Sequence, residues 1–252
     1  MVEITELVNY TNSLLETGKF QDYCPNGLQV EGRTEINSLV SGVTASAALI
    51  DAAIDKEADT ILVHHGYFWK GEDACITGIK KNRIKKLLAA DINLIAYHLP
   101  LDAHAIYGNN VQLAQVLSLT ARGTFSTGPG PDIGMYGELT APMSGKEFSG
   151  FISARLGRTP THIPGNKKLI RTIGWCTGGA QQYIDNAVSL GLDAYLTGEV
   201  SEQTVHVARE AGIHFFAAGH HATERYGAKA LGEHLSEKFS LEHEFIDINN
   251  PV

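Results

Sequence analysis

Four short segments of this sequence end in histidine or carboxylate side chains. They are Leu62-Val63-His64-His65-Gly66, Ala96-Tyr97-His98-Leu99-Pro100-Leu101-Asp102, Leu196-Thr197-Gly198-Glu199 and Ala218-Gly219-His220-His221-Ala222-Thr223-Glu224. Imidazole and carboxylate are the usual protein ligands of Zn, Mn, Fe and Ni. A lone histidine at a strand end is more often a polar cap than a ligand. Repetition at four ends argues otherwise, above all because His98 precedes Asp102, and His220 precedes Glu224, by the same four residues. On a helix that spacing puts both side chains on one face. A carboxylate can bridge two ions, and two ions sharing a water lower its pKa toward neutrality. The chemistry expected of these ends is the binding of divalent ions by their histidines and carboxylates.

The elements needed to carry these residues read as alternating strands and helices. Leu39 to Val43, Asp59 to Val63 and Ile92 to Tyr97 are apolar, β-branched runs of strand length. Between them lie helix patterns over Ser46 to Lys56 and Gly78 to Ala90. A first helix with Thr5 as its cap precedes the turn-rich link Asp22-Tyr23-Cys24-Pro25-Asn26-Gly27, and another helix spans Asn109 to Leu117. Strands alternating with helices predict an α/β fold with parallel pairing. The pattern then recurs. Ile50-Asp51 followed by Asp59 matches Ile184-Asp185 followed by Asp193; Ala53 matches Ala187 and Leu62 matches Leu196. Ala96-Tyr97-His98 aligns with Ala218-Gly219-His220. Two related α/β halves follow, with mixed or parallel sheets: residues 1–119 and 170–252, around a smaller inserted α+β segment, 120–169, rich in Gly, Pro, Ser and Thr. Its clearest helix is Gly145 to Leu156. Ligands of parallel sheets bind beyond the carboxyl ends of the strands, and paired halves would turn all four ligand-bearing ends toward one cleft.

Other chemistry is weaker. No Gly-x-Ser-x-Gly elbow or phosphate-loop motif is present. Thr177-Gly178-Gly179 could seat an anion at a helix start, although tight strand-to-helix turns use glycine anyway. At the matching turn, Thr44 or Ser46 more simply caps a helix. Lys80, Lys81, Arg83, Lys85 and Lys86 read as a solvated helix face, with phosphate binding as the alternative. His104, His162, His206, His214, His234 and His243 are taken as surface or core polar residues.

The chain has 252 residues and a formal net charge of -8, which makes nucleic acid an unlikely partner. Its three separated cysteines include no Cys-x-x-Cys pair and fit a reducing compartment. With no apolar run of spanning length and an acidic N-terminus, the expected location is cytoplasmic, away from membranes.

Several segments carry a family resemblance: Tyr23-Cys24-Pro25-Asn26-Gly27-Leu28-Gln29-Val30-Glu31-Gly32, Val63-His64-His65-Gly66-Tyr67-Phe68-Trp69, His98-Leu99-Pro100-Leu101-Asp102 and Gly219-His220-His221-Ala222-Thr223-Glu224. Together they resemble the Nif three-like family, whose members also carry the label GTP cyclohydrolase I type 2 homologue; the short bacterial form is most similar. The resemblance implies a dinuclear site on His64, His65, Asp102, His220 and Glu224, with Glu224 as the bridge. It implies a ring-shaped homohexamer with the sites facing an inner cavity. His98 and Glu199 match positions near the site and would shape the ligands or transfer protons. The function expected is that of a metal-dependent hydrolase acting on a nucleotide or related ring. The alternative is a metal-binding regulator or carrier without turnover. Several first-row ions suit such ligands equally.

Overall fold

The computed structural model describes residues 1–252. In chain order its elements are β1 (Val2–Glu3), α1 (Ile4–Leu14), β2 (Gly27–Val30), β3 (Glu35–Ile36), β4 (Ser38–Thr44), α2 (Ala47–Asp55), β5 (Thr60–His65), α3 (Gly78–Ala89), β6 (Asn93–Ala96), α4 (Leu99–Ala103), α5 (Asn109–Val116), β7 (Leu119–Phe125), β8 (Gly134–Met143), α6 (Gly145–Leu156), β9 (Thr161–Ile163), β10 (Ile170–Trp175), α7 (Ile184–Ser189), β11 (Ala194–Thr197), α8 (Glu202–Ala211), β12 (His214–Ala217), α9 (His220–Phe239) and β13 (Glu242–Phe245). They form two compact units. The first is Met1–Gly108 with Gly227–Asn249; the second is Asn109–Tyr226 with Asn250–Val252.

In the first unit a five-stranded sheet runs β13-β4-β5-β6-β2. β13, β4, β5 and β6 pair in parallel, and β2 closes the edge antiparallel to β6. Alternation along β5 decides which side chains go where. Ile61 and Val63 join Leu49, Ile50, Ala53 and Leu87 from α2 and α3. Leu62 points the other way, into a core with Leu7, Leu39, Ile95, Leu231 and Leu235. A parallel sheet covered on both faces needs apolar residues at every strand position, which is why β5 reads as a continuous apolar run. Each fully buried Leu or Ile contributes about 1.5–3 kcal/mol of burial free energy.

The second unit has a six-stranded sheet, β7-β8-β10-β11-β12-β9. β10, β11 and β12 are parallel; β8 and β9 pair antiparallel on either side of them. The middle stretch is therefore α+β in content, as its composition implies. Its strands are built into the second unit's sheet and protect both edges of the parallel core. Compact units consequently run differently from the boundaries 119/120 and 169/170 expected from composition. β7 and β8 cannot separate from β10, and residues 227–239 of α9 return to pack in the first unit's core.

Helix ends mostly follow local chemistry. Ser46 caps α2 by accepting the Leu49 N–H, and Ser144 and Glu147 form a reciprocal capping box on α6. The first helix differs from the sequence reading: α1 begins at Ile4, ahead of Thr5, and Glu3 precedes it without a side-chain cap. Past Gly179 the chain makes a 3-10 turn at Gln181–Tyr183 that runs into α7.

Candidate metal centre

β5 ends on His64 and His65, whose ring centroids lie 4.5 Å apart. His64 is fully buried. Its Nδ1 donates to the Tyr97 carbonyl at 2.9 Å. A carbonyl only accepts, so Nδ1 carries a proton and Nε2 is the ring nitrogen turned toward Asp102. That Nε2 lies 3.5 Å from Oδ1 of Asp102, a residue only 7% exposed, on α4. His65, partly exposed, is held by the Thr44 hydroxyl, 3.2 Å from its Nδ1.

His98 closes the group from the end of β6. Its ring centroid is 5.0 Å from that of His64 and 5.8 Å from that of His65. His64, His65 and His98 can each offer one ligand atom, all within 4.8 Å of one another. The His98 ring is fixed by Asp22, whose Oδ1 accepts from Nδ1 at 2.7 Å. The other carboxylate oxygen of Asp22 accepts the Leu99 N–H, the first of α4, at 2.9 Å, and Asn26 accepts the His98 N–H. One carboxylate thus orients the ring and caps the helix that bears Asp102. Burial pushes the Asp22 carboxyl up, but the hydrogen bond and charge of His98, with help from Asn26 and Tyr23, hold it below the usual carboxylate range. Cys24 lies beside this pair, where burial and the Asp22 charge push its thiol up to about 12. A thiol so raised is a poor metal ligand, because the thiolate is the form that binds.

The second unit brings together His220, Glu224 and Glu199. His220 and Glu224 stand on the first two turns of α9, with Nε2 3.1 Å from Oε2. Glu199, just past β11, accepts from His220 Nδ1 at 2.7 Å. Burial lowers the His220 pKa, yet the carboxylates of Glu224 and Glu199 outweigh it and push it up to about 9. Two carboxylates that favour a proton on this ring would equally favour a cation beside it. Gly178 makes the close approach possible. It adopts φ +68, and a Cβ there would collide with the Glu224 carboxylate. Thr197 and Thr223 hold the same turn in place: the Thr197 hydroxyl donates to the Gly178 carbonyl, and Gly178 N–H donates to the Thr223 hydroxyl. The glycines of Thr177-Gly178-Gly179 therefore make room for Glu224.

The donor chemistry fits divalent metal ions. His64, His98 and His220 each have Nδ1 engaged by a carbonyl or carboxylate oxygen, the arrangement that orients a metal-binding Nε2. Asp102 and Glu224 are buried carboxylates, a class rarely buried without a pairing group or a metal. In each unit, then, the structure assembles part of the sequence-derived set: His64, His65 and Asp102 with His98 in the first, His220 and Glu224 with Glu199 in the second. Sequence reasoning missed the roles of Asp22 and Asn26 at His98, and of Gly178 in making room for Glu224. Asp22 itself was read only as part of a turn, although a carboxylate in such a link could have suggested a partner for a histidine. His104 accepts from the Tyr107 N–H and stacks on its ring, His162 stacks on Phe216 and bonds to His214, and His243 bonds to Ser41. These histidines serve packing elsewhere.

The same residues can be compared with those of known proteins. The Duf34/NIF3 family (NGG1p interacting factor 3) matches residues 2–251. The chain belongs to this family. Curated relatives named GTP cyclohydrolase 1 type 2 homolog include one from Pseudomonas aeruginosa, 55% identical over 251 residues covering 100% of this chain and 99% of the relative. Another, from Escherichia coli, is 52% identical, with 98% of this chain and 99% of the relative covered. Among solved structures, the protein ybgI, described as of unknown function, is 52% identical with a TM-score of 0.95 and covers 100% of both chains. TTHA1606 from Thermus thermophilus is 31% identical with a TM-score of 0.89, again over 100% of both. As in those Duf34/NIF3 relatives, the fold is mixed α/β. No helix is long and apolar enough to cross a membrane.

Proposed function

We propose that this Duf34/NIF3 protein holds two divalent ions through His64, His65, Asp102, His220 and Glu224, and uses them to hydrolyse a small molecule. The observation that carries this reading is the repeated anchoring of histidine Nδ1 by oxygen, which leaves Nε2 of His64 beside Asp102 and Nε2 of His220 beside Glu224. Three of the proposed ligands belong to the first unit and two to the second. Zn, Mn, Fe and Ni all suit imidazole with carboxylate.

Such ions supply an acidified water at neutral pH and polarise the bond under attack. The chain's own residues do the rest. Glu224, with two carboxylate oxygens, is the proposed bridge. Asp22 fixes the tautomer of His98, so that Nε2 is the atom able to take a proton. Glu199 holds the far nitrogen of His220 and, at 39% exposure, can pass a proton to solvent. The substrate class is a nucleotide or related ring, a choice that rests on the relatives' names. Assembly as a ring-shaped homohexamer belongs to the same proposal.

A metal carrier without turnover is the second reading. It is favoured by the partial exposure of His220, 30%, which opens this ligand to exchange. Metal analysis, turnover and release separate the two. In the hydrolase reading, protein loaded with Mn, Zn or Fe opens the ring of GTP or a related compound and retains its metal against a chelator. A carrier shows no turnover and surrenders metal readily to an acceptor. Glu224→Ala should lose at least one ion per chain, whereas His162→Ala should keep both. Equal metal content in the two variants overturns the ligand assignment.

A further inference from the structure

The basic run on α3 takes no part in the proposed metal chemistry. Ile79, Asn82, Arg83, Lys86 and Ala89 follow one another at intervals of three, one, three and three residues around one side of that helix. With Lys85 and with Ala47 of α2, they line a cavity of about 590 Å³ in the first unit. That volume suits a small ligand. We propose that this groove is a binding site for a phosphate-bearing small molecule whose phosphate is held by Arg83 and Lys86.

Arg83 carries the argument. Its Nε is buried without a hydrogen-bond partner, whereas buried polar atoms in folded proteins are nearly always satisfied. Its charge reaches the buried Tyr67 phenol, which donates to the carbonyl of Ala45 at 2.7 Å. Arg83 shares the groove lining with Ala47, the first residue of α2, where Ser46 caps only the Leu49 N–H. A planar guanidinium next to the positive end of a nine-residue helix is a favourable seat for a tetrahedral anion. Lys86 stands one turn along the groove, paired with Asp51 at 2.5 Å. A bound phosphate would compete with Asp51 for that ammonium. Lys80 is already engaged by Glu72 and by the Asp73 carbonyl, so it is not assigned to the ligand.

The remaining lining is carbon. Ile79 is 70% exposed, an unusual position for a large aliphatic side chain, and Ala47 and Ala89 flank the same space. A ligand with an apolar body next to its phosphate matches both parts; a bare anion matches only one. The chain's net charge of -8 gives no general attraction to a polyanion, which favours a small ligand over nucleic acid. The groove also has a defined place in the sheet. α2 follows β4, whose Thr44 hydroxyl holds the His65 ring, and Ala45 N–H donates to the His65 carbonyl. The groove's Ala47 end therefore lies past the carboxyl end of β4, the side on which α/β sheets bind ligands. No bound metal is needed for it.

The test is calorimetric titration of the full chain with inorganic phosphate, a nucleoside monophosphate and the matching nucleoside, each with and without EDTA. The nucleoside monophosphate should bind more tightly than phosphate, and the nucleoside about tenfold or more weakly than its monophosphate, the scale of a charge-assisted hydrogen bond. EDTA should change nothing. Arg83→Gln should weaken the monophosphate about tenfold with metal content unaltered, Arg83→Lys should restore part of the loss, and Asp51→Asn should tighten binding by freeing Lys86. Loss of binding in EDTA would place the phosphate on the metal and overturn the proposal. So would unchanged affinity in Arg83→Gln. If Arg83→Gln does not fold, Asp51→Asn decides, because that exposed carboxylate is outside the core; no tightening there overturns the proposal.

Discussion

The two units begin their central strands with the same device. In the first, the Asp59 carboxylate accepts the N–H groups of Asn37 and Ser38, and the Ser38 hydroxyl accepts the Asp59 N–H. In the second, Asp193 accepts from Arg171 and Thr172, and the Thr172 hydroxyl accepts the Asp193 N–H. Carbonyls repeat as well: Asp59 receives Asn93 and Asp193 receives His214, while Val63 receives Tyr97 and Thr197 receives Ala218. The strand starts are thus equivalent residue by residue, but the strand ends are not. β5 leads into His64-His65 where β11 leads into Gly198-Glu199. Counting along the equivalent hydrogen bonds puts His98 opposite Gly219. The sequence alignment of His98 with His220 is therefore one residue out of register. Asp102 sits on the five-residue α4, Glu224 on the twenty-residue α9. The repeat supplies a scaffold, and each unit has furnished its strand ends separately.

That comparison can be broken or sharpened by substitution. The largest effects belong to the matched core positions. Leu62→Ala and Leu196→Ala, both at fully buried sites, should each cost about 2–5 kcal/mol in denaturant unfolding; a negligible cost at one of them would remove the equivalence of β5 and β11. Next come the strand-start carboxylates. Asp59→Asn should cost about 1–3 kcal/mol, and more than Asp193→Asn, because Asp59 also pairs with Arg33. The reverse order would mean that the Arg33 pair contributes nothing net. At the strand ends the expected readout is metal content. Asp22→Asn removes the charge that orients His98 and should weaken metal binding about tenfold, at the low end for such supporting groups, with the melting temperature of the second unit unchanged. Gly178→Ala should displace Glu224 and lower metal occupancy without affecting the first unit's histidines. Competitive metal titration of the two variants would reveal whether each unit's set fails on its own. Smallest is Ser46→Ala, which strips the α2 cap at about 1 kcal/mol, whereas α7 in the second unit has no side-chain cap to lose.

Local patterns made much of this legible. The apolar runs of β5, β6 and β11 and the helices α3, α5 and α6 stand within a few residues of where periodicity placed them, because strands covered on both faces and capped helices leave strong local signatures. The twenty-residue length of α9 and the strand β13 were not anticipated. Glycine and charged residues interrupt the periodicity of α9, and β13 alternates only weakly between exposed and half-buried residues. Asp22 escaped notice because its value as a partner depends on His98, 76 residues away.

The amino-acid sequence alone determined the α/β class and the residue types able to hold a divalent ion, since those follow from period and spacing, and its motifs determined the family. Tertiary structure decided which nitrogen each histidine presents, that Asp22 steadies His98, that Gly178 yields space to Glu224, and that the middle stretch completes a sheet. These are matters of hydrogen bonds and close approach between residues far apart in the chain, and no local pattern encodes such distances.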